Sequence, residues 1–314
     1  MCSRPIRVAS ARILLLCAAA LIVGIAMQGP AAAAKSRQTS FDSPEAAVEA
    51  FIGALVNHDE KELRALFGPG SESLISSGDA ADDRQRREEF VRLYGEKYRL
   101  EAAGDRKMIL HVGNNDWPFP IPIVKTGSTW RYDTKQGKEE ILNRRIGENE
   151  LEAIQTCLAI VDAQREYAAM DRDGNGLLEY ARTFASTPGR HDGLYWAAAP
   201  GEKSSPLGPL VAKARSEGYR QGEKPVPYNG YFFRILTGQG KSAKGGAYSY
   251  LVRDRMVGGF AVLAYPATYA VSGVKTFMVN HEGIVYQKDL GPGTARTAKS
   301  MKTFNPDKTW EQAQ

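Results

Sequence analysis

The run Asp171-Arg172-Asp173-Gly174-Asn175-Gly176-Leu177-Leu178-Glu179 sets oxygen donors at its first, third and fifth positions and a glycine at its sixth. That spacing suits a calcium loop. Asp171, Asp173 and Asn175 supply side-chain oxygens, Gly176 makes the sharp turn and Leu177 offers its backbone carbonyl. Glu179 stands at the ninth position, where ligation often runs through water. Calcium fits because it takes hard oxygens in flexible geometry. The twelfth position departs from the pattern: Arg182 stands where a bidentate glutamate belongs. The expected site is therefore weak, on the order of millimolar, as in extracellular modules. The competing reading is a helix that ends after Met170 and runs into an Asx/Gly turn.

Tyr195, Trp196, Tyr228 and Tyr231 are the candidate ligand-binding residues. They belong to an aromatic-rich stretch that continues through Phe232, Phe233, Tyr248, Tyr250, Tyr265 and Tyr269. Lining one groove, such rings could stack on a sugar or a peptide; the alternative is strand packing. The four histidines show no metal spacing such as His-x-x-x-His. His191-Asp192 could pair a base with an orienting acid, but no nucleophile accompanies them. No serine lies in a Gly-x-Ser-x-Gly elbow. The 36 acids leave room for the paired carboxylates of a glycoside hydrolase, yet their spacing singles out no pair. The Gly238-Gln239-Gly240 and Gly245-Gly246 tracts lie between expected strands, without the following helix that a phosphate loop needs. Catalytic residues stay unassigned, and no cofactor other than calcium is expected.

The elements that hold these residues begin after a secretory signal. Arg4, Arg7 and Arg12 precede an apolar run from Ile13 to Met27, and Ala31-Ala32-Ala33-Ala34 offers cleavage sites before Lys35. Residues 1–34 thus read as a signal peptide, and the chain as periplasmic, with a secreted or signal-anchored form as the alternative. An uncleaved anchor would need about 20 apolar residues, and Gln28-Gly29-Pro30 interrupts the run. Processing leaves 38 basic against 36 acidic residues, a net of +2 rather than +5. So small an excess gives no field to steer nucleic acid, and no stable membrane span remains. Cys157 is then the last cysteine, which excludes an intramolecular disulfide; it reads as a small buried apolar residue on a helix. With 43% hydrophobic and 25% charged residues the chain has apolar surface enough for a core, so global disorder is excluded.

Residues 41–135 read as a small α+β unit. Ser43-Pro44-Glu45 opens one helix and Asp59 with Glu62 caps a second; a charged stretch from Asp79 to Glu89 forms a solvated helical face. Strands are expected at Lys107–Val112, Ile121–Lys125 and Thr129–Tyr132. The order is similar to the start of a cone-shaped, nuclear-transport-factor-like fold, with too few strands to complete it. A charged stretch, Asp133 to Glu148, joins the halves, and Asn149 is the expected cap of a long helix reaching Met170. Strands follow at Tyr231–Leu236, Phe260–Tyr265, Thr276–Val279 and Ile284–Gln287, the last two forming a hairpin around Asn280-His281-Glu282-Gly283. Residues 136–291 read as that helix packed on an antiparallel meander, and residues 292–314 as a loose polar tail. The fold class is α+β.

Several segments together resemble a known family. They are Trp117-Pro118-Phe119-Pro120, Trp130-Arg131-Tyr132-Asp133, Arg145-Ile146-Gly147-Glu148-Asn149-Glu150-Leu151, Asp171-Arg172-Asp173-Gly174-Asn175-Gly176, Gly193-Leu194-Tyr195-Trp196, Gly230-Tyr231-Phe232-Phe233-Arg234-Ile235-Leu236 and Val285-Tyr286-Gln287-Lys288-Asp289-Leu290. Across residues 40–291 the chain resembles the bacterial domain-of-unknown-function family numbered 2950. The resemblance implies an exported protein of unassigned activity and carries over no catalytic residue. The C-terminal half is also similar to the soluble heads of type IV pilin-like proteins. In pilins the helix continues N-terminally into an apolar assembly helix, whereas here Arg144-Arg145 and another domain precede it. The expected function is a non-catalytic binding or assembly-support module of the cell envelope, its partner an envelope protein or a cell-wall component. The alternative is a hydrolase of a cell-wall polymer.

Overall fold

The computed structural model describes residues 38–75, 80–172, 174–199, 201–216 and 226–313; the expected signal segment and Asp173 lie outside them. Local capping sets the first helices. Ser43 accepts the Ala46 N–H at 3.1 Å and Pro44 occupies the first turn, so α1 runs Pro44–Val56. Asp59 accepts the Glu62 N–H at 2.9 Å and opens α2, Glu60–Phe67. A single turn, α3 (Glu72–Ile75), and the long α4 (Ala80–Glu96) follow.

The first sheet contains β1 (Tyr98–Ala102), β2 (Lys107–Val112), β3 (Trp117–Pro118), β4 (Ile123–Thr126) and β5 (Thr129–Tyr132). Its order is β1-β2-β4-β5, with β3 paired to β2. Sequence reading missed β1, whose residues are mostly half-exposed or exposed and carry no apolar alternation. Phe51, Leu66, Leu110, Ile123 and Tyr132 anchor the core beneath this sheet.

Helix α5 spans Thr134–Ala168, 35 residues, and corrects the expectation that a helix starts at Asn149. Its cap is Asp133, which accepts the Gln136 N–H at 3.0 Å. The charged stretch of 134–148 is rich in Lys, Gln, Glu and Arg, good helix formers, and Arg144 pairs with Glu140 one turn away at 2.8 Å. Asn149 instead faces the second sheet, donating from Nδ2 to the Ser272 carbonyl at 2.9 Å. Its neighbour Glu150 accepts the Val274 and Lys275 N–H groups at 2.8 and 2.9 Å. One helix thus serves both cores. Two of its glycines separate backbone from packing effects. A methyl on exposed Gly147 meets nothing within 4 Å, whereas on Gly137 it would come within 2.6 Å of Ile121 Cγ1. Gly147→Ala is expected to stabilise by about 0.5–1 kcal/mol and Gly137→Ala to destabilise by ~1–3 kcal/mol, both read by urea unfolding.

After the short α6 (Gly208–Ser216) come β6 (Tyr231–Leu236), β7 (Gly238–Gln239), β8 (Tyr248–Ser249), β9 (Leu251–Val252), β10 (Arg255–Met256), β11 (Ala261–Pro266), β12 (Lys275–Asn280) and β13 (Val285–Asp289); then α7 (Thr294–Ser300) and β14 (Glu311–Gln312). The main sheet has the order β14-β13-β12-β11-β6, and α5 packs on β11, β12 and β13. Gly283, at φ +83°, closes the β12–β13 hairpin where the sequence placed it. The tail is not loose: Ala298, Phe304 and Trp310 are 0%, 2% and 9% exposed, and β14 extends the sheet. The architecture is α+β, a helix-and-strand lobe followed by a long helix on an antiparallel sheet. Among the described residues no helix is long and apolar enough to cross a membrane.

Candidate functional site

A surface groove of about 640 Å³ lies between α4 and the turn that joins β2 to β3. Phe90 and Leu93 of α4 form its apolar wall, Asn114 and Asn115 come from the turn, and Trp117 of β3 closes one side. The turn is held by several local devices. Gly113 has φ +74°, which a side chain would strain, and a Cβ there would stand 3.0 Å from Leu93. The Gly113 N–H donates to the Leu93 and Lys97 carbonyls at 3.1 and 2.8 Å, fastening the turn to the end of α4. At its far end Arg99 Nε donates to Asp116 Oδ1 at 2.8 Å, and its Nη2 pairs with Oδ2. The guanidinium holds the Asp116 carboxyl below its ordinary range.

Trp117 is 42% exposed. The Arg144 guanidinium covers one face of the indole, 5.4 Å from its centroid, while Nη1 donates to the Pro118 carbonyl at 2.8 Å. Phe90 meets the ring edge-on at 6.4 Å. The indole is thus oriented by packing before any ligand arrives, as a recognition surface requires.

Arg92 dominates the electrostatics of the groove. It donates from Nε and Nη2 to the two Glu89 oxygens at 2.8 and 2.6 Å, and from Nη1 to Glu96. The Glu89 carboxyl is held below its ordinary range, first by that hydrogen bond. A glycosidase acid needs the opposite, a carboxyl raised toward neutrality so that it can carry a proton. The groove therefore offers an aromatic platform, exposed amides and a clamped, charge-balanced rim. Sequence reading did not reach it, because α4 and Trp117 meet only through the folded sheet.

The residues expected to do chemistry lie outside this groove. Asp171 Oδ1 accepts the Gly174 and Asn175 N–H groups at 2.8 and 3.1 Å, and Oδ2 accepts that of Gly176 at 2.7 Å. Asn175 Oδ1 accepts the Leu177 N–H at 2.8 Å. Glu179 Oε1 accepts from Asn175 Nδ2 and from Arg255 Nη1, each at 2.8 Å. The loop thus satisfies its own oxygens through local turns, with a guanidinium on one acid. Asp173 lies outside the described residues, and among these no group of three or more His, Cys, Asp or Glu is placed to hold a metal.

The four aromatic candidates differ in exposure and in what they touch. Tyr231 is 0% exposed and donates its hydroxyl to the Lys275 carbonyl at 2.9 Å; it is core. This corrects its reading as a ligand platform: the inward face of β6 buries it. Trp196 is 9% exposed, stacked on His191 at 4.3 Å and approached by Arg172 at 5.8 Å. Tyr195 is half-buried beneath Arg215, 5.5 Å from the ring centroid, and Tyr228 bridges to Tyr231 through the backbone. The His191-Asp192 pair separates as well. Asp192 accepts from the Thr187 N–H and hydroxyl at 2.7 and 2.8 Å, while His191 Nε2 lies 3.0 Å from Glu202. Cys157 is fully buried on α5, and burial pushes its thiol up to about 12, so it stays protonated and inert at neutral pH.

Residues 38–313 match a family model described as "Protein of unknown function (DUF2950)". No curated protein and no solved structure matches the chain, and the likeness of its C-terminal half to pilin heads is not confirmed.

Proposed function

The chain belongs to the DUF2950 family, and from that premise we propose that it is an exported cell-envelope protein acting as a non-catalytic binding module. The observation that carries the reading is the groove beside Trp117. Its indole is exposed and held from behind by Arg144, and its acidic rim is tied up by Arg92. Such a rim suits recognition, and Glu89, held below its ordinary range, is the opposite of the raised acid that a cell-wall hydrolase uses. The signal pattern of residues 1–34 supports export; the periplasm is the proposed location, with a secreted or signal-anchored form as the alternative.

Co-sedimentation of the purified protein with isolated cell walls tests the role. The wild type is expected in the pellet and Trp117→Ala in the supernatant, with no soluble wall fragments released. Fragment release would establish the hydrolase instead. Calcium at Asp171, Asp173, Asn175, Leu177 and Glu179 is a separate proposal. It predicts a higher melting temperature at about 5 mM calcium for the wild type and not for Asp171→Asn; unchanged melting removes it.

A further inference from the structure

We propose that the groove between α4 and the β2–β3 turn is a subsite for an uncharged saccharide, with Trp117 as the stacking platform and Asn114 and Asn115 as the amides that read its hydroxyls. The inference rests on the binding role above and names the ligand class.

Charge balance gives the first argument. The ionisable side chains lining the groove are Arg86, Glu89, Arg92 and Glu96, two cations and two anions. Glu89 and Glu96 both share Arg92. An anionic or cationic ligand meets no net counter-charge in this set of four groups. A neutral polyol loses nothing on that account.

The second argument is the pairing of a flat apolar surface with amides. A pyranose presents apolar C–H groups on its faces and hydroxyls around its edge. Each hydroxyl both donates and accepts, and a carboxamide does the same from one group. Asn114 and Asn115 are adjacent and exposed on the turn next to the indole. Among the described residues the Asn114 amide makes only a long contact to Glu96, 3.5 Å, so it can be recruited. Arg144, which covers the indole from one side, is not among the residues lining the groove, and the indole is 42% exposed. A volume of about 640 Å³ suits a small oligosaccharide.

The geometry also favours a sugar over a peptide. Peptide grooves hold apolar anchor side chains along an apolar or aromatic lining, whereas one wall of this groove is polar, built from Asn114 and Asn115.

Isothermal titration of the signal-free chain with chitotriose and cellotriose as neutral probes, trigalacturonate as the anionic probe and trialanine as the peptide probe tests the inference. At least one neutral trisaccharide is expected to bind more tightly than trigalacturonate, and trialanine is expected not to bind. Trp117→Ala should weaken that binding by about tenfold or more. Asn115→Ala, an exposed change that spares the core, should weaken it severalfold. Leu151→Ala, on α5 and 65% exposed, should leave it unchanged.

Trigalacturonate or trialanine binding through Trp117 as tightly as the neutral sugars would overturn the assignment. So would neutral-sugar binding that survives both Trp117→Ala and Asn115→Ala. If neither trisaccharide binds while cell walls still sediment the protein through Trp117, the saccharide class fails and the binding role stands. If wall binding is absent too, both fail.

Discussion

Phe51→Ala is expected to cost the N-terminal lobe about 3–5 kcal/mol. Phe51 is 4% exposed and sits at the centre of an aromatic cluster. Its centroid lies 5.5 Å from Phe67, 5.4 Å from Phe90, 5.0 Å from Phe119 and 5.8 Å from Tyr132, mostly in edge-on or tilted arrangements. Truncation removes the ring's transfer energy and leaves a cavity that four rigid neighbours cannot collapse into. It also loosens Tyr132, whose hydroxyl donates to the Ala47 carbonyl at 3.0 Å inside that core. Because Phe90 links the cluster to the groove, Trp117 should become more mobile as well. Urea unfolding followed by tryptophan fluorescence reads the loss. A change below about 1 kcal/mol would mean that this core is looser than its packing implies.

Deleting residues 294–314 is expected to prevent the C-terminal lobe from reaching its native state. The deletion removes Ala298, Phe304 and Trp310, all buried, together with β14 at the sheet edge. It also strips Arg234, on β6, of its acceptors, the Ala298 and Lys299 carbonyls at 2.7 and 2.9 Å. Large buried side chains are worth about 3–5 kcal/mol each on truncation, and a domain has only about 5–15 kcal/mol in all. Near-ultraviolet circular dichroism and limited proteolysis distinguish the outcomes. A loose tail predicts an unchanged C-terminal lobe; a structural tail predicts rapid cleavage after β13. Phe304→Ala, at a residue 2% exposed, gives a graded version of the same test, with a loss of about 3 kcal/mol.

The tail shows why composition misled. Its sequence is polar, with isolated aromatics and no periodic apolar run. Phe304 and Trp310 are buried because the main sheet needs cover, a demand that arises only once β11, β12 and β13 have paired. The same holds for the first half of α5. Its charged stretch looks like a linker, yet good helix formers, the Glu140–Arg144 pair and the fit of Gly137 against Ile121 make it a continuous helix. Tyr231, offered by its type as a binding residue, is core for the matching reason. Burial depends on which face of β6 meets α5, and sequence alone does not orient that face.

Local physics was legible from the chain alone. The caps of α1 and α2, the buried run of β11 and the β12–β13 hairpin all follow from nearest-neighbour sterics, capping hydrogen bonds and periodicity, which act over a few residues. The α+β class and the place of the chain in its family followed from that ordered string of segments. The groove did not. Phe90, Asn114, Asn115 and Trp117 are brought together by a turn folded back on α4, and Arg144 reaches the indole from a later helix. Long-range closure, with its entropy offset by burial of two aromatic-rich cores, decided that convergence, and no spacing in the sequence encodes it.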